Sequence, residues 1–72
     1  MEKNLLKNAV ITNNVCNGAT TIIQLFEEID KNYKPTYRVI TLQSSILFNT
    51  TTDNYRDALE MFKIELRQAI VL

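Results

Sequence analysis

The clearest hydrophobic pattern lies at the end of the chain, where apolar residues recur at spacings of three and four positions. This spacing places them on one face of an α-helix. Asp53 or Thr52 is positioned to cap the start of that helix. The pattern predicts a C-terminal amphipathic helix whose apolar stripe faces the interior. The stripe consists of Tyr55, Ala58, Leu59, Phe62, Leu66, Ala69 and Ile70.

The segment before this helix has the composition of two strands. Residues 36–42 and 46–50 are rich in β-branched and aromatic side chains, and residues 43–45 between them favour a tight turn. These segments predict an antiparallel hairpin. Both strands contain apolar runs rather than a clean alternation, which predicts that much of both sheet faces is covered.

Residues 19–33 fit two different templates. Apolar residues at helical spacing, with a capping box at 21–24, favour a helix over residues 21–33. Asn17-Gly18 between two β-branched runs instead favours a hairpin whose second arm is formed by residues 19–29. The residues match more positions of the helical pattern than of the hairpin pattern, which predicts the helix. Its apolar face would consist of Ile22, Leu25, Phe26, Ile29 and Tyr33.

The first segment is also ambiguous. Residues 9–12 are mostly β-branched and favour a strand near 7–13, although Leu5, Leu6, Ala9 and Val10 would also share a helical face. With this strand, the element order becomes β-α-β-β-α. The predicted fold class is α+β: one domain spanning residues 1–72, with a small antiparallel sheet of about three strands and two helices on one face.

Composition limits how so short a chain is stabilised. The 72 residues are 46% hydrophobic, which argues against disorder, but a domain of this size is only marginally stable. Cys16 is the only cysteine and there is no histidine, which excludes an intrachain disulfide and disfavours a zinc site. Self-association is the remaining means of stabilisation, so a homodimer is expected.

Nothing in the sequence predicts catalysis. Cys16 has no histidine to activate it, and a single glycine excludes a phosphate-binding loop. On a helix, Glu27, Glu28 and Asp30 would not converge on one point. We therefore predict a protein that is not an enzyme and has neither cofactor nor catalytic metal.

Charge and targeting signals bear on partners and location. The net charge of zero disfavours nucleic acid as a partner, because phosphate contacts need an excess of Lys and Arg. The sequence shows no signal peptide and no apolar run of about 20 residues, so no membrane association is predicted. A lone cysteine suits the cytoplasm. Frequent Asn, Ile, Thr and Lys are typical of AT-rich genomes, such as those of low-GC bacteria and their phages.

Apolar residues off the main helical stripe suggest a contact surface. Ile64 lies on the side of the last helix opposite Phe62. A second candidate surface is the acidic face of the predicted helix at 21–33. The predicted protein-interface residues are Met61, Ile64, Val71, Leu72, Glu27, Glu28 and Asp30.

These features predict a small protein-binding modulator or inhibitor, encoded by a phage or mobile element, that occupies a surface of a host or defence protein. The alternative is a dimeric DNA-binding regulator or antitoxin. Residues 46–50 followed by 53–60 resemble the strand-to-helix passage of HicB-type antitoxins. The resemblance covers a short part of the chain, and the glycine-rich strands usual in that family are missing. No functional residue is carried over from it.

Overall fold

The computed structural model describes residues 2–13 and 19–71. Its elements are β1 (Glu2–Asn13), β2 (Ala19–Ile29), β3 (Pro35–Gln43), β4 (Ser45–Thr52) and α1 (Tyr55–Val71). The α+β class is as predicted. The details differ, because the described residues form four strands and one helix instead of about three strands and two helices.

The strands form one open antiparallel sheet in the order β1-β2-β3-β4, so each strand pairs with its neighbours in sequence. β1 and β4 are the edge strands. The register shifts between Leu5 and Lys7 in β1, and opposite the Thr41/Leu42 step of β3. Each shift places one extra residue in an edge strand, as in a β-bulge.

The predicted helix over residues 21–33 is wrong, and most of that segment is β2. Thr21, Ile23 and Leu25 are buried at alternate positions, which is the period of a strand. β2 is a central strand, and the residues between these positions are half-buried on its other face. The hairpin alternative for residues 19–29 is the correct one, since Asn13 pairs with Ala19. Asn17 and Gly18 lie outside the described residues.

The predicted hairpin of β3 and β4 is present, with Ser44 alone between the two strands. Ser44 has a φ of 65°, in the left-handed region that residues other than glycine seldom occupy. The connection from β2 to β3 is held by Asp30. Its Oδ1 accepts hydrogen bonds from the backbone N–H groups of Asn32 at 2.8 Å and Lys34 at 3.1 Å.

α1 is capped by Asn54, not by the predicted Asp53 or Thr52. The Oδ1 of Asn54 accepts hydrogen bonds from the backbone N–H groups of Arg56 at 2.9 Å and Asp57 at 3.3 Å. These two donors have no partner inside the helix, so the cap satisfies them. The hydroxyl of Thr52 accepts from the N–H of Asn54 at 3.2 Å and thereby supports the cap.

The core lies between α1 and one face of the sheet. α1 packs mainly on the central strands, and its predicted stripe supplies Ala58 and Phe62 to the core. Tyr55 and Ile70, at the two ends of that stripe, are exposed. Burial of apolar area against the helix is the main stabilising contribution. The buried core residues are Ile23, Leu25, Val39, Ala58 and Phe62.

Candidate protein-binding surface

The face of the sheet opposite α1 is not covered by any described element, and we call it the open face. Alternate residues of a strand point to opposite faces. Because Ile23, Leu25 and Val39 point toward α1, their neighbours in sequence lie on the open face. The prediction that the sheet is covered on both faces is therefore wrong for the part of the chain that the structure describes.

An apolar row crosses the open face over all four strands. Val10 pairs with Ile22, Ile22 with Leu42, and Leu42 with Ile46. Directly paired residues share a face and have closely spaced side chains. With strands about 4.8 Å apart, the row is roughly 15 Å long. Its two ends are open to solvent, since Val10 is 59% and Ile46 is 60% exposed.

The other end of the open face carries a polar network centred on Arg38. Its Nε donates to Oε1 of Glu28 at 3.2 Å, and its Nη1 donates to Oδ1 of Asn49 at 2.6 Å. The Glu28 side chain is only 15% exposed. The ion pair links β2 to β3, and each of its two charges offsets the other.

Two further contacts join β1 to β2 on the open face, the first next to the apolar row and the second beside the Arg38 network. The side-chain amide of Gln24 donates to Oδ1 of Asn8 at 3.2 Å. The ammonium group of Lys3 lies 4.4 Å from the centroid of the Phe26 ring, which is a cation–π distance. The open face thus has an apolar end and a polar end whose groups already have partners.

The structure separates the four helix residues predicted to form an interface. Ile64 is exposed at 45%, on the outer side of α1 as expected. Met61 was predicted to lie off the stripe, but it packs against the core. Val71 belongs to α1, and its side chain is not described. Leu72 lies outside the described residues.

The predicted acidic helix face does not form, because its residues belong to a strand and a turn. Glu27 and Glu28 are consecutive in β2 and therefore point to opposite faces. Glu27 accepts a hydrogen bond from the side chain of Asn4 at 3.4 Å, and Glu28 binds Arg38. Asp30 holds the β2–β3 turn. Each carboxylate thus has a partner within the chain.

A groove of about 260 Å³ is lined by Glu2, Ile29, Asp30, Lys31 and Tyr33, none of which forms a nucleophile–base pair. Across residues 2–13 and 19–71, no three of the His, Cys, Asp and Glu side chains come together to hold a metal ion. Cys16 lies outside the described residues.

The sheet offers little to a nucleic acid. Arg38 and Tyr37 have the chemistry to hydrogen-bond to a base and to stack on it, but as consecutive residues of β3 they point to opposite faces. The Tyr37 ring packs edge-on against Tyr55 of α1, with centroids 5.3 Å apart. The described helix is too short and too polar to cross a membrane.

The sequence reasoning missed the apolar row. Each of its four members was visible within a β-branched or apolar run, but the runs are far apart in sequence. Only the pairing register shows that these residues are neighbours. The hairpin signal at Asn17-Gly18 indicates that the first two strands pair, but a two-residue turn there would have placed Val10 beside Leu25 instead of Ile22.

Comparison with known proteins adds no functional information. No family model, curated protein or solved structure matches this chain.

Proposed function

We propose that this protein is a small, non-catalytic, cytoplasmic modulator or inhibitor that binds another protein through its open face. The observation that carries the proposal is the apolar row from Val10 to Ile46, which leaves adjacent apolar side chains in contact with water. Exposed apolar patches rimmed by polar groups are typical of protein-binding sites.

The charges on the open face favour a protein partner over a nucleic acid. Arg38 is paired with Glu28, and Lys3 lies over Phe26. A surface that grips phosphates needs several cations without partners. The surface that best complements the open face is apolar at one end, with hydrogen-bonding groups toward the other. A β-sheet face or the apolar side of a helix has that chemistry.

The test compares two Glu substitutions at exposed apolar residues. Val10→Glu places a charge in the apolar row, whereas Ile64→Glu places the same charge on the outer side of α1, where the sequence alone predicted the contact. Both positions are exposed, so both variants should fold, and circular dichroism verifies this. The immobilised full chain and both variants are used to capture proteins from a lysate of the source cells.

The expected result is a partner that the wild type and Ile64→Glu both retain and Val10→Glu loses. If Ile64→Glu alone lost the partner, the binding site would lie on α1 and the proposal would be contradicted. A DNA mobility shift that weakens with salt would support the regulator alternative instead. Purified partner and titration calorimetry then give the affinity directly.

A further inference from the structure

The two edges of the sheet differ in a way that bears on self-association. An edge strand presents unpaired backbone N–H and C=O groups to any strand that approaches, and proteins protect such edges with charges, prolines and bulges. β1 carries Glu2, Lys3 and Lys7, with a bulge between Leu5 and Lys7. This edge is protected against pairing with another chain.

β4 is not protected in the same way. Its sequence, Ser-Ile-Leu-Phe-Asn-Thr-Thr-Thr, contains no charged residue, no proline and no glycine. Its register shift lies near its start, which leaves residues 48–52 in regular pairing with β3. Threonine and aromatic residues favour strands. The outer edge of β4 therefore presents a regular, uncharged segment.

We propose that β4 pairs antiparallel with β4 of a second copy of this chain, across a two-fold axis perpendicular to the sheet. In such a pair a residue at the two-fold axis faces its own counterpart and the residues beside it lie close to theirs, so a charged residue there would repel the same residue of the other copy. β4 has none. The nearest cation, Arg38, is held by Glu28 and Asn49, and the whole chain has no net charge.

The charge that follows β4 does not oppose this pairing. In an antiparallel pair the end of one copy's strand lies beside the start of the other's. Asp53 of one copy would therefore lie near Ser44 and Ser45 of the other, away from the second Asp53.

The assembly would be an eight-stranded sheet. A two-fold axis perpendicular to the sheet keeps corresponding faces on the same side, so both helices would lie on one face and both open faces on the other. The inference does not rest on the open face binding a target. It does mean that a target would meet two apolar rows in one continuous surface.

The test uses a matched pair of isosteric substitutions. Asn49 and Asn8 lie at the two ends of one row of the open face, in β4 and β1. Each accepts a hydrogen bond through Oδ1, from Arg38 and from Gln24 respectively. Asn49→Asp and Asn8→Asp preserve both acceptors, so both chains should fold, and each adds one negative charge at an edge strand.

Sedimentation equilibrium of the full chain should give twice the monomer mass of 8.3 kDa for the wild type and for Asn8→Asp. Asn49→Asp should sediment as a monomer, because its charges meet near the two-fold axis. Mixing Asn49→Asp with Asn49→Lys should restore the dimer.

Three results would overturn the proposal: a wild type that is monomeric at millimolar concentration, dissociation by Asn8→Asp, or a dimer that survives Asn49→Asp. If Asn49→Asp and Asn8→Asp lost the dimer equally, the two copies would pack through their open faces, since both residues lie on that face. Val10→Glu should leave the β4 dimer intact, so failure of this inference and failure of target binding are distinguishable.

Discussion

The hydroxyl of Thr41 donates a hydrogen bond to Oε1 of Glu65 at 2.8 Å, across the interface between β3 and α1. Thr41 is only 5% exposed, and among the described residues it is one of two buried polar side chains. The bond satisfies its hydroxyl and fixes the position of α1 along the strand.

We expect Thr41→Val to lower the free energy of unfolding by about 1 kcal/mol, because it keeps the shape of the side chain and removes the bond. Thr51→Val is the matched control, since Thr51 is exposed at the edge of the sheet and should change stability by less than about 0.5 kcal/mol. Urea unfolding followed by circular dichroism measures both. Equal stability of the two variants would show that the bond contributes nothing.

Phe62→Ala should cost about 3–5 kcal/mol, because Phe62 fills the space between α1 and the central strands and alanine leaves a cavity. A loss of this size is comparable with the whole stability of a small domain. Ile64→Ala, on the outer side of α1, should cost less than about 1 kcal/mol. Thermal denaturation measures the difference between the two variants. Similar melting temperatures would contradict the burial of the Phe62 side of α1 against the sheet.

Asn54→Ala should destabilise the protein by about 1 kcal/mol, because two N–H groups at the start of α1 lose their acceptor. Asp53→Ala should have a smaller effect, since Asn54 rather than Asp53 caps the helix. The comparison is made by chemical denaturation at neutral pH. A larger loss of stability in Asp53→Ala than in Asn54→Ala would show that Asp53, the residue predicted from the sequence, caps the helix.

Glycine should have opposite effects at two neighbouring serines. Ser44→Gly should stabilise the chain by about 0.5 kcal/mol, because Ser44 has a φ of 65° and glycine accepts that conformation without steric cost. Ser45→Gly should destabilise it by about 0.5–1 kcal/mol, because Ser45 belongs to β4 and glycine increases the entropy of the unfolded chain. Differential scanning calorimetry measures the change in stability for each variant. A change in the same direction in both variants would contradict the turn geometry.

The helix and the β3–β4 hairpin were predictable because their sequence signals were local. Ala58, Phe62 and Leu66 follow the helical repeat, and the face of α1 on which they lie packs against the sheet. Residues 43–45 contained the turn, although the left-handed backbone at Ser44 is not evident from a serine. The cap was misplaced by one or two residues, because Thr52, Asp53 and Asn54 are all good capping residues.

β2 was mispredicted because both of its faces are apolar. Leu25 faces α1 while Ile22 and Phe26 lie on the open face, yet their spacing also matches one side of a helix. A strand that is apolar on both sides loses the period-two signal that distinguishes it. The polar network around Arg38 could not be predicted either, because it depends on the register that brings Glu28 and Asn49 to the same guanidinium.

The consecutive order of the strands has a consequence for how the chain reaches its native state. Every strand pairing joins sequence neighbours, and a single residue, Ser44, connects β3 to β4. Short loop closures cost little chain entropy, and folding rates rise as contacts become more local. We therefore expect this sheet to form by successive zipping from the β3–β4 turn, faster than β-sandwiches of similar size, with docking of the helix completing the process.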